Sequence, residues 1–252
     1  MSLELTVLGS GAYAPGREGK VRNPAGYAVR AGDDLVLLDL GFGNVRQLAR
    51  ARLDPSEVSD LFLTHAHPDH CGDLPALLFL FRSGPKPRSG RLRVWGPAGT
   101  RALVAGLCRV WTPWLDPRGY ALEVRELSDG GEVQGLGWVV EAKSVPHTTR
   151  ALAYRMSRGS ASLVYTGDME YDPSFARFAA SCDLLLVECT CAEDDAIPGH
   201  LSPRQALQIA RDSRCGRALL THLSDASAAA AARLLAGEPR AELARDLMRR
   251  RI

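Results

Sequence analysis

The chain has 252 residues, 46% of them hydrophobic and 24% charged, which is enough apolar material for a substantial core. A net charge of +2 is too small a basic surplus to argue for nucleic acid. No apolar run reaches the roughly 18–20 residues that cross a bilayer, and Met1 to Gly9 shows no basic stretch leading into a long apolar one. The six cysteines, Cys71, Cys108, Cys182, Cys189, Cys191 and Cys215, are scattered and mostly sit in apolar runs. They read as reduced thiols of a cytoplasmic protein too large to need disulfide staples. Cys189 and Cys191 lack the CxxC spacing of a metal pair. Cys71, next to His70, is a candidate lining residue of any pocket formed there.

Leu3 to Leu8 alternates and ends in Gly9-Ser10-Gly11, a strand followed by a tight turn. No helical pattern follows, which excludes a phosphate-binding glycine loop. Ala12 to Asn23 is a Gly/Pro/Arg loop, and Gly26 to Arg30 and Leu35 to Leu40 are two strands. Gly41-Phe42-Gly43 ends the second, and Asn44 is the expected N-cap of a helix to Ala51. Asp60 to Leu63 is a buried strand, Asp73 to Phe81 a helix and Ser83 to Gly90 a loop. Leu92 to Trp95 is a strand, with a helix from about Thr100 to Val110. Trp111 and Trp114 are expected to pack in the core, a substrate wall being the competing role. Strands recur at Leu122–Leu127, Gly137–Ser144, Ala151–Met156, Ser162–Tyr165, Leu184–Val187 and Ala218–Thr221. Pro203 to Asp212 is helical, and Ser224 onward is expected to be helix to the end, its basic tail a solvated helix face. Strands fill both halves and helices follow them, so the expected architecture is an α/β (α+β) αββα sandwich of two sheets with helices outside, one domain over residues 1–252.

The stretch Thr64-His65-Ala66-His67-Pro68-Asp69-His70 concentrates three imidazoles and a carboxylate at the end of a strand. His65 and His67 are two apart, so an extended backbone puts both on one side. Pro68 starts a turn that brings Asp69 and His70 toward the same volume. Imidazole nitrogens and carboxylate oxygens suit a borderline divalent ion, whereas a solvated polar loop is the competing reading. The remaining histidines, His147, His200 and His222, all end or follow apolar segments, and Asp168 follows Val164-Tyr165-Thr166-Gly167. Strand ends on one rim of a sandwich converge. His65, His67, Asp69, His70, His147, Asp168 and His222 make seven candidate ligands, enough for two ions if one carboxylate bridges. One tightly held ion with a weaker second site is the alternative.

Thr64-His65-Ala66-His67-Pro68-Asp69-His70 resembles the HxHxDH motif of the metallo-β-lactamase fold, and His147, Gly167-Asp168 and Thr221-His222 fall in that superfamily's order. Within it the chain is most similar to ribonuclease Z and its phosphodiesterase relatives. The segments that carry this are Leu8-Gly9-Ser10-Gly11, Arg22-Asn23, Pro146-His147, Ala153-Tyr154-Arg155, Tyr165 to Asp168, Leu185 to Thr190, Gly199 to Ser202 and Leu220 to Ser224. The resemblance implies that His65, His67 and His147 bind one metal, that Asp69, His70 and His222 bind the other, and that Asp168 bridges. The donor types suit zinc, with manganese as the alternative, and the resemblance suggests a homodimer. It also matches Glu188 and His200 to a Glu–His pair beside the metals. His200 is the one histidine the ligand count does not need, and a neighbouring carboxylate would keep it charged.

The chain departs from transfer-RNA-processing members in one respect. Their long arm between the third metal histidine and the bridging aspartate is reduced here to Thr148 to Gly167, a span that two strands and a turn would fill. The expected substrate is therefore a small or cyclic phosphodiester, with RNA the lesser alternative. A metal-bridging hydroxide would attack phosphorus, Asp69 would orient it and accept its proton, and His200, polarised by Glu188, would protonate the leaving oxygen. Two other classes stay open: a carbonyl hydrolase of lactones, thioesters or β-lactams on the same metals, and a di-iron redox protein or metal-dependent binding module.

Overall fold

The computed structural model of the chain describes residues 2–12, 21–85, 88–192 and 197–252. Residues 13–20 of the first expected loop and 86–87 of the loop over 83–90 lie outside them. The first half runs β1 (Glu4–Gly9), β2 (Gly26–Ala31), β3 (Asp34–Leu40), α1 (Asn44–Arg50), β4 (Val58–Phe62), α2 (Pro68–Cys71), α3 (Leu74–Ser83), β5 (Arg91–Gly96), α4 (Thr100–Val110) and β6 (Ala121–Glu126). The second runs β7 (Glu132–Gln134), β8 (Val139–Val145), β9 (Ala151–Arg158), β10 (Ala161–Tyr165), α5 (Phe175–Phe178), β11 (Leu184–Glu188), α6 (Pro203–Ser213), β12 (Arg217–Thr221), α7 (Asp225–Leu234), β13 (Ala241–Leu243) and β14 (Arg249–Arg251). Two seven-stranded sheets result, ordered β14-β1-β2-β3-β4-β5-β6 and β13-β12-β11-β10-β9-β8-β7. Among the described residues no helix is long and apolar enough to cross a membrane.

The apolar runs that looked continuous in sequence divide by face. In β3, Val36 and Leu38 enter the core between the sheets, while Leu35 and Leu37 pack under α1 and α3. In β11, Leu184 and Leu186 face the other sheet, while Leu185 and Val187 pack against α6 and its neighbours. A strand covered on both faces has no reason to alternate apolar with polar. The αββα layering expected from the element order is the observed one.

β3 through β6 are mutually parallel, and so are β10 through β13. Their C-terminal ends lie on one rim, where open α/β sheets place ligands. Tyrosines and backbone groups tie the sheets together at this rim. The Tyr154 hydroxyl donates to the Leu63 carbonyl (2.7 Å), and the Leu152 N–H donates to the Thr64 carbonyl (2.9 Å).

Three expectations are corrected. The helix from Ser224 stops at Leu234, because Gly237 and Pro239 break it. The chain then adds β13 beside β12 and β14 beside β1. The basic tail is thus a charged edge strand, which discourages pairing with another chain. Asn44 is not the N-cap. Gly43 holds that position with φ 83°, and the Asn44 amide instead donates to the Ala25 carbonyl (2.8 Å) and accepts from Asn23 (2.7 Å). Trp111 and Trp114 are 45% and 58% exposed rather than core. They follow α4 beyond its last buried position, Val104, and line an open groove of about 470 Å³ with Pro75, Ala76, Phe79 and Leu115.

Candidate metal centre

β4 delivers Thr64, His65 and His67 to the rim, and Pro68 starts α2 at once, which turns Asp69 and His70 back toward the same point. β8 delivers His147, β10 delivers Asp168, β11 ends in Glu188, and β12 delivers His222. The sequence-predicted ligands come together in two sets. His65, His67, His147 and Asp168 form one, and Asp69, His70 and His222 the other, with ligand atoms within 4.8 Å in each. Asp168, His200 and His222 form a third overlapping group. Asp168 sits between the sets: its Oδ2 lies 3.2 Å from His70 Nε2 and 3.7 Å from His65 Nε2, and its Oδ1 lies 3.7 Å from His222 Nδ1. Cys71 is not among these groups; its thiol meets the Ala66 and His67 carbonyls.

The hydrogen bonds around the rings fix their tautomers. His147 Nδ1 lies 2.8 Å from the Gly199 carbonyl, which can only accept, so this nitrogen carries the proton. His70 Nδ1 likewise donates to Asp39 Oδ2 (2.7 Å). Thr190 Oγ1 donates to Glu188 Oε2 (2.8 Å), so it accepts from His222 Nδ1 (2.7 Å). In the neutral rings each Nε2 is then a bare lone pair. Yet His70 Nε2 faces His222 Nε2 at 3.2 Å, while His147 Nε2 lies 3.4 Å from His67 Nδ1, whose proton no other hydrogen bond assigns. His65 Nε2 and Asp168 Oδ1 are buried with no hydrogen-bond partner. Lone pairs converging in a largely buried site are relieved by a cation, and the histidines show the outer hydrogen bonds that orient metal ligands. The donor set fits divalent metal ions.

The carboxylates of the site hold a positive charge among them, on His70 where no ion supplies it. Burial disfavours a charged His70, but Asp168 and Asp39 overcome it and hold the ring well above the ordinary histidine range. Burial lowers His65, and His70 beside it lowers it further. Burial would raise Asp168 and Asp69, but the surrounding imidazoles hold both below the usual carboxylate range. The pocket keeps its carboxylates ionised and calls for positive charge among them.

Glu188 is fully buried and collects five hydrogen bonds. Oε1 accepts from Met169 N–H, Leu201 N–H and His200 Nδ1, each at 3.1 Å, and Oε2 from Thr190 N–H and Oγ1. The His200 side chain is 14% exposed and stacks on His222, with ring centroids 5.7 Å apart. Burial pulls its pKa down, but the hydrogen bond and charge of Glu188 prevail and raise it.

Sequence reasoning missed Asp39. Its backbone has φ 57°, unusual for a residue with a side chain, and its carboxylate accepts from Thr64 N–H, Thr64 Oγ1, His70 Nδ1 and the Tyr165 hydroxyl. A lone acid inside Leu35-Val36-Leu37-Leu38-Asp39-Leu40 was the available signal. The Thr190 hydroxyl, which joins His222 to Glu188, was also unassigned.

Residues 35–223 match the family model described as a β-lactamase superfamily domain. The chain is 28% identical over 276 residues to ribonuclease Z of Myxococcus xanthus, covering 88% of this chain and 87% of that protein. The metallo-β-lactamase fold protein YhfI of Bacillus subtilis superposes with a TM-score of 0.84 at 22% identity, covering 100% of this chain and 99% of that one. The short form of human tRNase Z superposes with a TM-score of 0.78 at 22% identity, covering 98% of each. The sandwich, the solved structures that superpose on it and the match over residues 35–223 agree, and the chain belongs to the metallo-β-lactamase superfamily.

Proposed function

We propose that the chain is a metal-dependent phosphodiesterase acting on a small or cyclic phosphodiester. The observation that carries this reading is the Glu188–His200 pair: a histidine outside both ligand sets, held by a buried carboxylate at their edge. His65, His67 and His147 would hold one divalent ion and Asp69, His70 and His222 the other, with Asp168 reaching both; zinc suits these donors, and manganese is the alternative. Such ions, when bound, neutralise phosphoryl oxygens and make a water more acidic. The protein's own residues supply the rest. Asp69, whose side chain is 11% exposed where that of Asp168 is 2% exposed, orients the attacking water and takes its proton. Glu188 engages His200 Nδ1, so Nε2 is the nitrogen free to protonate the departing oxygen.

The span between His147 and Asp168 supports a small substrate. β9, β10 and the turn at Gly159 fill most of it. Two of its three arginines are occupied structurally: Arg155 donates to the Phe178 carbonyl (2.9 Å) and Arg158 to the Ser2 carbonyl (3.0 Å). Similarity to a relative named ribonuclease Z supports phosphodiester chemistry, and this short span favours a compact diester over a folded RNA.

The test is hydrolysis of bis(p-nitrophenyl) phosphate by metal-loaded protein, beside His200→Ala and a p-nitrophenyl ester control. His200→Ala should lower turnover by roughly two to four orders of magnitude with metal content intact. Ester cleavage without diesterase activity, indifferent to His200, would move the protein to the carbonyl hydrolases.

A further inference from the structure

We infer that Glu170 is a positioning residue that sets the place of His200 by holding the backbone of Gly199. The inference rests on the reading of His200 as the proton donor. Asp168-Met169-Glu170 leaves β10 and is tied into the site at each of its three residues. The Asp168 carboxylate lies among the imidazoles, and the Met169 N–H donates to Glu188 Oε1 (3.1 Å). The Glu170 N–H donates to the Pro146 carbonyl (2.7 Å), and Glu170 Oε1 accepts from the Gly199 N–H (3.0 Å). Pro146 and Gly199 are the chain neighbours of His147 and His200. One residue therefore pins the segment of a candidate ligand to the segment of the candidate acid, whose rings meet edge to face at 5.4 Å and 74°.

The loop needs an external hold. Gly199 has φ 86°, and a Cβ there would stand 2.7 Å from His147 Nδ1, so position 199 can carry no side chain of its own. Its carbonyl is already taken by His147 Nδ1, which leaves the N–H as the handle. On the far side, His200 Nδ1 and the Leu201 N–H both donate to Glu188 Oε1. His200 is thus held between two glutamates, Glu170 gripping the residue before it and Glu188 gripping its ring and the residue after it. Glu188 is fully buried whereas Glu170 is exposed, so losing the Glu170 carboxylate removes little from the core and falls on the geometry of His200.

The experiment compares Glu170→Ala, Glu170→Gln, His200→Ala and the Glu170→Ala/His200→Ala double variant. Glu170→Ala should lower kcat about tenfold, the scale of a sub-ångström misplacement of a reacting group. KM, melting midpoint and metal content per chain should stay at their wild-type values. Glu170→Gln keeps an oxygen that accepts from Gly199 and should recover to within about threefold of wild type. On the His200→Ala background, Glu170→Ala should have no further effect, because it acts through the residue already removed. Independent of turnover, long-range 1H–15N spectra of the imidazoles should show the His200 ring resonances moved and broadened in Glu170→Ala and restored in Glu170→Gln. If the wild type lacks diesterase activity altogether, the proposed function fails and the imidazole spectra alone decide the role of Glu170. Unmoved His200 resonances in Glu170→Ala, or full additivity of the two alanine variants, would overturn the inference.

Discussion

Asp39→Asn isolates the contribution of the buried carboxylate behind the candidate metal centre, because it changes charge and proton pattern while keeping shape. Asp39 Oδ1 accepts one donor, the Thr64 N–H, while Oδ2 accepts three, from Thr64 Oγ1, His70 Nδ1 and the Tyr165 hydroxyl. The asparagine amide must put its NH2 in place of one oxygen. The smaller loss puts it opposite the Thr64 N–H, leaving one buried donor-to-donor contact at about 1–3 kcal/mol. The other three bonds lose their ionic character, so the total is about 2–4 kcal/mol. For a chain of this size that corresponds to a melting midpoint roughly 5–10 °C lower. The same change removes the anchor of His70 Nδ1, and loss of such an outer partner costs metal affinity about 10–100-fold. The assay pairs a thermal melt of the metal-free protein with chelator competition on the loaded one. Destabilisation with unchanged metal affinity would refute the anchoring role and leave Asp39 as a structural bridge.

Asp69→Ala should reduce both metal content and turnover, where His200→Ala reduces turnover alone; metal analysis beside the diesterase assay separates them. Gly199→Ala places a Cβ 2.7 Å from His147 Nδ1 at φ 86° and should displace that ring, lowering affinity at the ion it would share with His65 and His67, read by the same chelator competition. The Cys182 thiol is pushed up to about 12 by burial, with Cys215 nearby adding to the effect. An unfolded thiol titrates near 9, so stability is fully present below that pH and falls as pH rises toward 12, by about 1.4 kcal/mol per unit for this group. Urea midpoints between pH 8 and 11 should fall less steeply in Cys182→Ala. Ser202→Ala removes one arm of the reciprocal cap with Gln205 at the start of α6 and should cost about 1 kcal/mol in the same assay.

What was legible in the sequence was whatever the chemistry forces into a local pattern. His65, His67, Asp69 and His70 stand together because consecutive residues leaving one strand can share a pocket. His147, Asp168 and His222 could be read because each follows an apolar strand, and parallel strand ends meet on one rim. Asp39 and Thr190 were not legible for the opposite reason. Their partners, His70 and His222, lie 31 and 32 residues away, so the roles exist only once the sheets are packed. The Arg249–Arg251 strand was hidden because edge pairing uses backbone groups and leaves the side chains free to look like a solvated helix face. Trp111 and Trp114 misled because bulk alone does not bury a side chain that sits past the last inward position of its helix.

The candidate ligands come from both ends of synthesis. A chain emerging from the ribosome carries His65, His67, Asp69 and His70 early, yet neither set can close then. His67 meets its facing ring on His147 80 residues later, and His70 waits 152 residues for His222. Metal capture at full affinity would therefore be deferred until nearly all of the matched region has been made, and an ion held there would clasp two sheets, the first of which is completed only by β14 near the C-terminal end. Because each set spans both sheets and closes late, chelation should speed unfolding of the whole chain and not only silence the finished protein.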